Sequence, residues 1–280
     1  MLSLAPTLTI ALFMVPIVAG LIAALLPAFG YFPSIGGETL SLQPWRDLVA
    51  YPGFFSSLRL TLTAGMVATV ASLVLATGFC AVAQGRPLFR RLERFLAPLL
   101  AAPHAAVAIG FAFLIAPSGW LARLVSPWLT GWEQPPALVT TQDPLGLAFA
   151  AGLLLKETPY LVLVLIAASS QVATQPTIAA ARAMGYGRIT AWLKIVLPQV
   201  YPQIRLPVYA VLAFSLSVVE VPLILAPGNP PPLSVLAARW FANYDVRLYY
   251  PAAAAATLQL GLVIAAIGLW RLAEIVAGRL

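Results

Sequence analysis

Apolar residues in this chain come in uninterrupted runs long enough to cross a bilayer. Residues 6–29 and 60–83 hold no charged side chain at all. A hydrocarbon core takes about 20 residues of helix per crossing. No water reaches that core, so every backbone N–H and C=O in it must pair within its own segment or in a closed barrel. The runs are continuous, without the every-second-residue alternation a barrel strand requires. The chain is therefore expected to be an all-α polytopic membrane protein. Six segments can be drawn, at about 6–29, 60–83, 96–117, 145–170, 204–226 and 251–270, in a single transmembrane domain over 1–280.

Charge supports this class. Only 9% of residues are charged, against about a quarter in a soluble domain. The net charge of +7 is not a nucleic-acid footprint, because the basic residues sit in loops between apolar runs, where they report topology. With the N-terminus inside, the inner loops hold Arg86, Arg90, Arg91, Arg94, Arg182, Arg188, Lys194, Arg205, Arg271 and Arg279, ten in all. The outer loops then hold four, Arg46, Arg123, Arg239 and Arg247. That bias places both termini in the cytoplasm. The first run lacks a basic leader, and LIAALLPAFGYF offers no cleavage site, so it reads as a retained span.

Cys80 and His104 are the sole cysteine and histidine. They exclude a disulfide framework or a Cys/His metal cluster within one chain. Cys80 reads as a buried thiol, and His104, just after Pro103, as a packed or helix-end residue. Trp45, Trp120, Trp128, Trp132, Trp240, Tyr249 and Tyr250 gather in the outer segments and suit interfacial anchoring. PGNPPP at 227–232 must be an outer turn. Kinks are expected at Pro16, Pro159, Pro207 and Pro222. No repeat of 20–50 residues is visible.

Residues 172–203 break the apolar pattern and carry Arg182, Arg188 and Lys194. Pro176 suits a first helical turn, with Thr174 or Gln175 near the cap. Ile178, Ala181, Arg182 and Gly185 recur at i, i+3, i+4 and i+7, one face of a helix. Gly185 and Gly187 permit a turn with positive φ. A second amphipathic piece presents Ile189, Trp192, Leu193 and Val196. Pro198 is expected to end it and Pro202 to start the return. By itself this segment could be a pair of amphipathic helices lying on lipid.

The same loop resembles a known pattern. Ala179, Ala180 and Ala181 are followed after three residues by Gly185, then after nine residues by Ile195, Leu197 and Pro198. This is similar to the EAA loop of the inner-membrane permeases of binding-protein-dependent ABC importers, which reads E-A-A, three residues, G, nine residues, I-x-L-P. The resemblance implies that these residues grip cytoplasmic ATPase subunits. It further implies a periplasmic substrate-binding protein as donor, a second permease unit, identical or related, and no bound cofactor. Ala179 stands where the family has glutamate, and Arg182 is the candidate substitute polar anchor. The return segment LPQVYPQIRLPVYAVLAFSLSVVE looks like the branch that moves thiamine, sulfate or molybdate, ferric iron or polyamines. The sequence has no G-x-x-x-x-G-K-[ST] phosphate loop, so ATP would be hydrolysed by a separate chain and this one is not expected to be an enzyme.

Charges inside spans are costly and mark functional candidates. Lys156 and Glu157 fall in the fourth segment and Glu220 in the fifth. They are candidates for the translocation path or a gate. A Lys156–Glu220 pair, a Glu157 pair with Arg59, or a break at Glu157-Thr158-Pro159 between half-helices would each accommodate them. The alternative class is a secondary transporter or another polytopic protein with an interfacial loop. Such transporters usually show inverted repeats, which are not evident here. An embedded enzyme would need a richer set of acid, base or nucleophile.

Overall fold

The structure is a computed structural model that describes residues 5–83, 94–96 and 98–278. Regular structure among these residues is helical, with an isolated β-bridge between Phe32 and Gly37. Among them, five helical stretches are long and apolar enough to cross a membrane: Pro6–Ala28, Phe54–Ala83, His104–Val125, Leu147–Ser169 and Val246–Val276. The chain is thus an all-α polytopic membrane protein. Arg86, Arg90, Arg91 and Arg279, used above for orientation, lie outside the described residues.

The chain divides into two compact units. The first comprises residues 1–59 and 229–265. It holds α1 (Ala5–Ala28), α2 (Gln43–Ala50), the start of α3 (Phe54–Ala83), and later elements described below. Ala28, Leu48, Phe54, Leu233, Leu236, Ala254 and Ala255 form its buried core. Several residues expected as interfacial anchors pack on one another or on neighbouring rings. Tyr51 meets Trp240 edge-on at 5.3 Å, and Phe29 lies 5.9 Å from Trp45. Such tilted and edge contacts suit the ring quadrupoles.

The second unit comprises residues 60–228 and 266–280. It contains α4 (His104–Ile115), α5 (Trp120–Val125), α6 (Leu147–Ser169), α7 (Thr174–Ala183), α8 (Arg188–Ala191), a π-helical turn at Trp192–Val196, α9 (Leu197–Ser217) and α10 (Glu220–Leu225). One core joins Ala76, Cys80, Leu161, Leu165, Ile178, Trp192, Val200, Ile204 and Val208. Another joins Ala64, Ala68, Ala108, Phe149, Leu153, Val221 and Leu225. Gly65 and Gly152 allow the close approaches: an added Cβ would run into the Leu216 and Leu225 side chains. Cys80 is buried, as expected of an inert thiol.

Capping explains where α6 begins. The Asp143 carboxylate accepts from the backbone N–H of Leu145, Leu147 and Ala148 at 2.8–3.1 Å. First-turn N–H groups lack helical partners, and an acceptor there stabilises the helix. Gly146 takes the left-handed conformation between cap and helix (φ 71°). The remaining elements are α11 (Leu233–Phe241) and α12 (Tyr249–Ala277), which follow the non-helical 227–232 turn.

Two expectations need correction. The third expected segment is interrupted: a helical turn at 98–101 ends at Ala102–Pro103 before α4 starts. The fifth is interrupted too, with Val218 extended (φ −59°, ψ 144°) between α9 and α10. Of the alternatives for the charges of the fourth segment, the break at Glu157-Thr158-Pro159 is absent, because α6 runs through Pro159 without interruption.

Candidate functional site

The loop at 172–203 is the first candidate. α7 begins without a side-chain cap, and Thr174 instead donates its hydroxyl to the Ser169 carbonyl at 2.8 Å. Ile178 and Ala181 face inward, and Ala181 is only 1% exposed. The expected contact surface therefore loses Ala181, which is turned into the core. Ala179, Ala180, Arg182 and Gly185 are exposed. So are Met184 and Tyr186, which the sequence pattern did not single out, and Ile189 and Leu193, whereas Trp192 and Val196, expected on the same face, are buried.

Gly185 makes the turn. Its φ is +91°, a region that a Cβ disfavours. The Gly185 and Tyr186 N–H groups donate back to the Arg182 and Ala181 carbonyls at 3.0 and 3.1 Å, closing the helix end. Gly187 needs no such freedom: it is extended (φ −64°, ψ 152°) at the start of α8.

Beyond the turn the expected stop at Pro198 does not occur. α8 passes into the π turn and then directly into α9, with Pro198 in the first turn of α9. Pro198 is accommodated inside that helical run, where its missing N–H removes one bond from the ladder. Trp192 and Val196 of the π turn are buried, Ile195 and Leu197 are half-buried, and Pro198 is exposed. A π turn inserts an extra residue and re-aims the side chains that follow it. Loop and span are thus one continuous helical connection.

A second candidate lies beside α6. Lys156 and Glu157 are 5% and 6% exposed. With Leu100, His104, Tyr160 and Phe214 they line a cavity of about 290 Å³. The Lys156 Nζ donates to the carbonyls of Leu99, Leu100 and Ala102 at 3.2, 2.9 and 2.5 Å. Those carbonyls close the 98–101 turn and have lost their helical partners. Lys156 therefore caps a broken helix, and the Lys156–Glu220 pair, one of the alternatives, is not formed. Glu157 Oε1 lies 3.6 Å from His104 Nε2, and the His104 ring packs 4.6 Å from Phe214. Glu220, in the first turn of α10, is exposed rather than buried.

A third polar cluster escaped the sequence reading. The Glu274 carboxylate accepts from Tyr201 at 2.6 Å, Tyr209 at 2.8 Å and Arg271 at 3.0 Å, and Arg205 Nε stands 3.1 Å away. Trp270 donates to the Tyr201 oxygen at 3.0 Å. Tyr201, Arg205 and Tyr209 share a helical face at four-residue spacing, a signal that becomes readable only once an acid is known to lie opposite.

With this geometry in view, similar proteins can be compared. The inner membrane ABC transporter permease protein YnjC of Escherichia coli (strain K12) is 31% identical over 229 residues, which is 82% of this chain. The chain is a relative of an ABC transporter permease. It spans 42% of that protein's length. A continuous stretch of 229 residues in a chain of 280 has to take in the loop at 172–203 and the cavity residues. No protein-family model matches the sequence. The fold is also found among solved structures. The bacterial alginate ABC transporter in complex with its alginate pentasaccharide-bound periplasmic protein superposes with a TM-score of 0.72 at 16% identity, over 95% of this chain and 90% of the other. The MetNI methionine ABC transporter, in an inward-facing conformation, gives 0.52 at 15% identity, over 85% and 97%.

Proposed function

We propose that this chain is the permease subunit of a binding-protein-dependent ABC importer in a bacterial inner membrane. The observation that carries this is the 31% identity to an ABC transporter permease across 82% of the chain, a stretch that includes the EAA-like loop. The chain does not hydrolyse ATP. Separate cytoplasmic ATPase subunits do so, a periplasmic binding protein delivers the substrate, and a second permease unit completes the path. Six crossings are proposed, the fifth running through α9 and α10 across the break at Val218. Both termini are cytoplasmic.

In this reading Ala179, Ala180, Arg182 and Gly185 form the ATPase contact with Met184 and Tyr186. The small Ala179, Ala180 and Gly185 and the exposed apolar neighbours let another surface seat closely. Ile195, Leu197 and Pro198 join that contact to the span rather than touching the ATPase broadly. ATPase closure would push on α7, and the uninterrupted run from α8 through the π turn to α9 would carry the displacement into the membrane. The Glu274 cluster ties α9 to the end of α12. Lys156, Glu157 and Glu220 belong to the translocation path, Lys156 through the helix end it caps.

The test is co-expression with the ATPase encoded nearest this chain and affinity capture from detergent. The unchanged chain should retain the ATPase, and Met184→Asp should lower retention at least fivefold while leaving the chain's own elution volume in place. Full retention by Met184→Asp would overturn the contact, and no retention by the unchanged chain would overturn the importer assignment.

A further inference from the structure

We infer that the cavity beside Glu157 is a binding site for a small organic cation, a protonated amine on an apolar body. This rests on the importer reading and deepens it by assigning a solute class to the permease itself.

The two neighbouring charges of α6 have separate tasks. An ammonium group has three N–H donors and no acceptor. Lys156 spends its donors on the carbonyls of Leu99, Leu100 and Ala102. Those carbonyls carry the negative end of a helical turn, which offsets the ammonium charge locally. No Lys156 donor remains for an anion in the cavity.

Glu157 is differently placed. Its carboxylate is buried, lines the cavity and receives no hydrogen bond from the described residues. His104 Nε2, at 3.6 Å, stands beyond hydrogen-bond reach. A carboxylate only accepts, so the open oxygens call for a ligand that donates. Lys156 also lines the cavity, but its ammonium is held by the carbonyls of Leu99, Leu100 and Ala102. The remaining wall, Leu100, His104, Tyr160, Ala210, Val211 and Phe214, is aromatic or aliphatic. Ring faces attract a cation within about 6 Å of their centroids. A carboxylate with aromatic walls matches an ammonium head on a carbon body. A divalent metal ion would need six or so oxygen ligands, and among the described residues no group of His, Cys, Asp and Glu could hold one. The volume of about 290 Å³ lies at the small end of ligand cavities.

The experiment titrates the full chain in lipid nanodiscs with benzylammonium, benzyl alcohol and benzenesulfonate, read by calorimetry. Benzylammonium should bind at least tenfold more tightly than either of the others. Glu157→Gln should weaken it tenfold or more, and Phe214→Leu about threefold, as a lost ring face would. Sulfonate binding equal to that of the amine, no binding of any probe, or unchanged amine affinity in Glu157→Gln would overturn the site. The probe comparison on the unchanged chain decides alone if Glu157→Gln does not fold. ATPase capture by the unchanged chain reads the importer assignment separately.

Discussion

Gly185 shows how a single residue can set the loop. Its φ of +91° lies where an L side chain is strained, at a cost of about 1–2 kcal/mol. Nothing crowds the space around it, so the effect of a substitution is conformational rather than steric. Gly185→Val should therefore misdirect the turn while leaving the spans intact. Helix content by circular dichroism should stay the same, and ATPase capture should fall severalfold. Unchanged capture would mean that the turn tolerates another conformation. The sequence announced this glycine through its spacing. It did not announce that Ala181, four positions before it, faces inward, because periodicity names the residues on a face and not the direction the face looks. Asp143 was missed for another reason. It lies ahead of Pro144 and Gly146, and the folded turn brings its carboxylate onto three N–H groups spread over Leu145–Ala148.

At the scale of elements, Lys156 and Glu220 make a contrast. Lys156→Met would leave three carbonyls at the 98–101 turn without their charged donor. Unsatisfied buried groups cost about 1–3 kcal/mol, so the thermal midpoint in detergent should fall. Glu220 is exposed, and Glu220→Gln should leave that midpoint within the small range of surface changes, about 0.5 kcal/mol. A fall for Glu220→Gln as large as that for Lys156→Met would restore the discarded ion pair. Proline explains why these elements were only partly legible. A helical proline removes one N–H and crowds the carbonyl four residues earlier. Pro222 sits four residues after Val218, where the chain is extended. Pro159 and Pro207 carry the same chemistry yet stay inside continuous helices. Neighbouring packing decides which proline breaks its helix.

For the whole molecule, the prediction is topological. Ten basic residues on one side against four on the other predict a cytoplasmic C-terminus and a cytoplasmic loop at 172–203. Green fluorescent protein fused at the C-terminus should fluoresce, and alkaline phosphatase fused after Asn229 should be active. A silent phosphatase at Asn229 would reverse the orientation. The fusion after Asn229 falls at the boundary between the two compact units, in a turn of prolines that leaves no helix to disrupt.

What the sequence by itself determined is the class of fold. Uncharged runs of bilayer length leave the backbone no partner but itself, so helices follow from solvation alone. It also marked the turn at Gly185, because a glycine's freedom at positive φ acts locally, but not the continuation through Pro198 or the burial of Ala181. Only the tertiary structure decided what the charges do. Lys156 and Glu157 are adjacent in sequence, and neither periodicity nor depth separates their roles. A helix end 54–57 residues earlier claimed one, and the cavity left the other open. The same holds for Glu274, whose tyrosine partners lie 65 and 73 residues away. Such pairings depend on which helices pack together, and that choice is made by the summed burial of many apolar contacts rather than by the charged residues themselves.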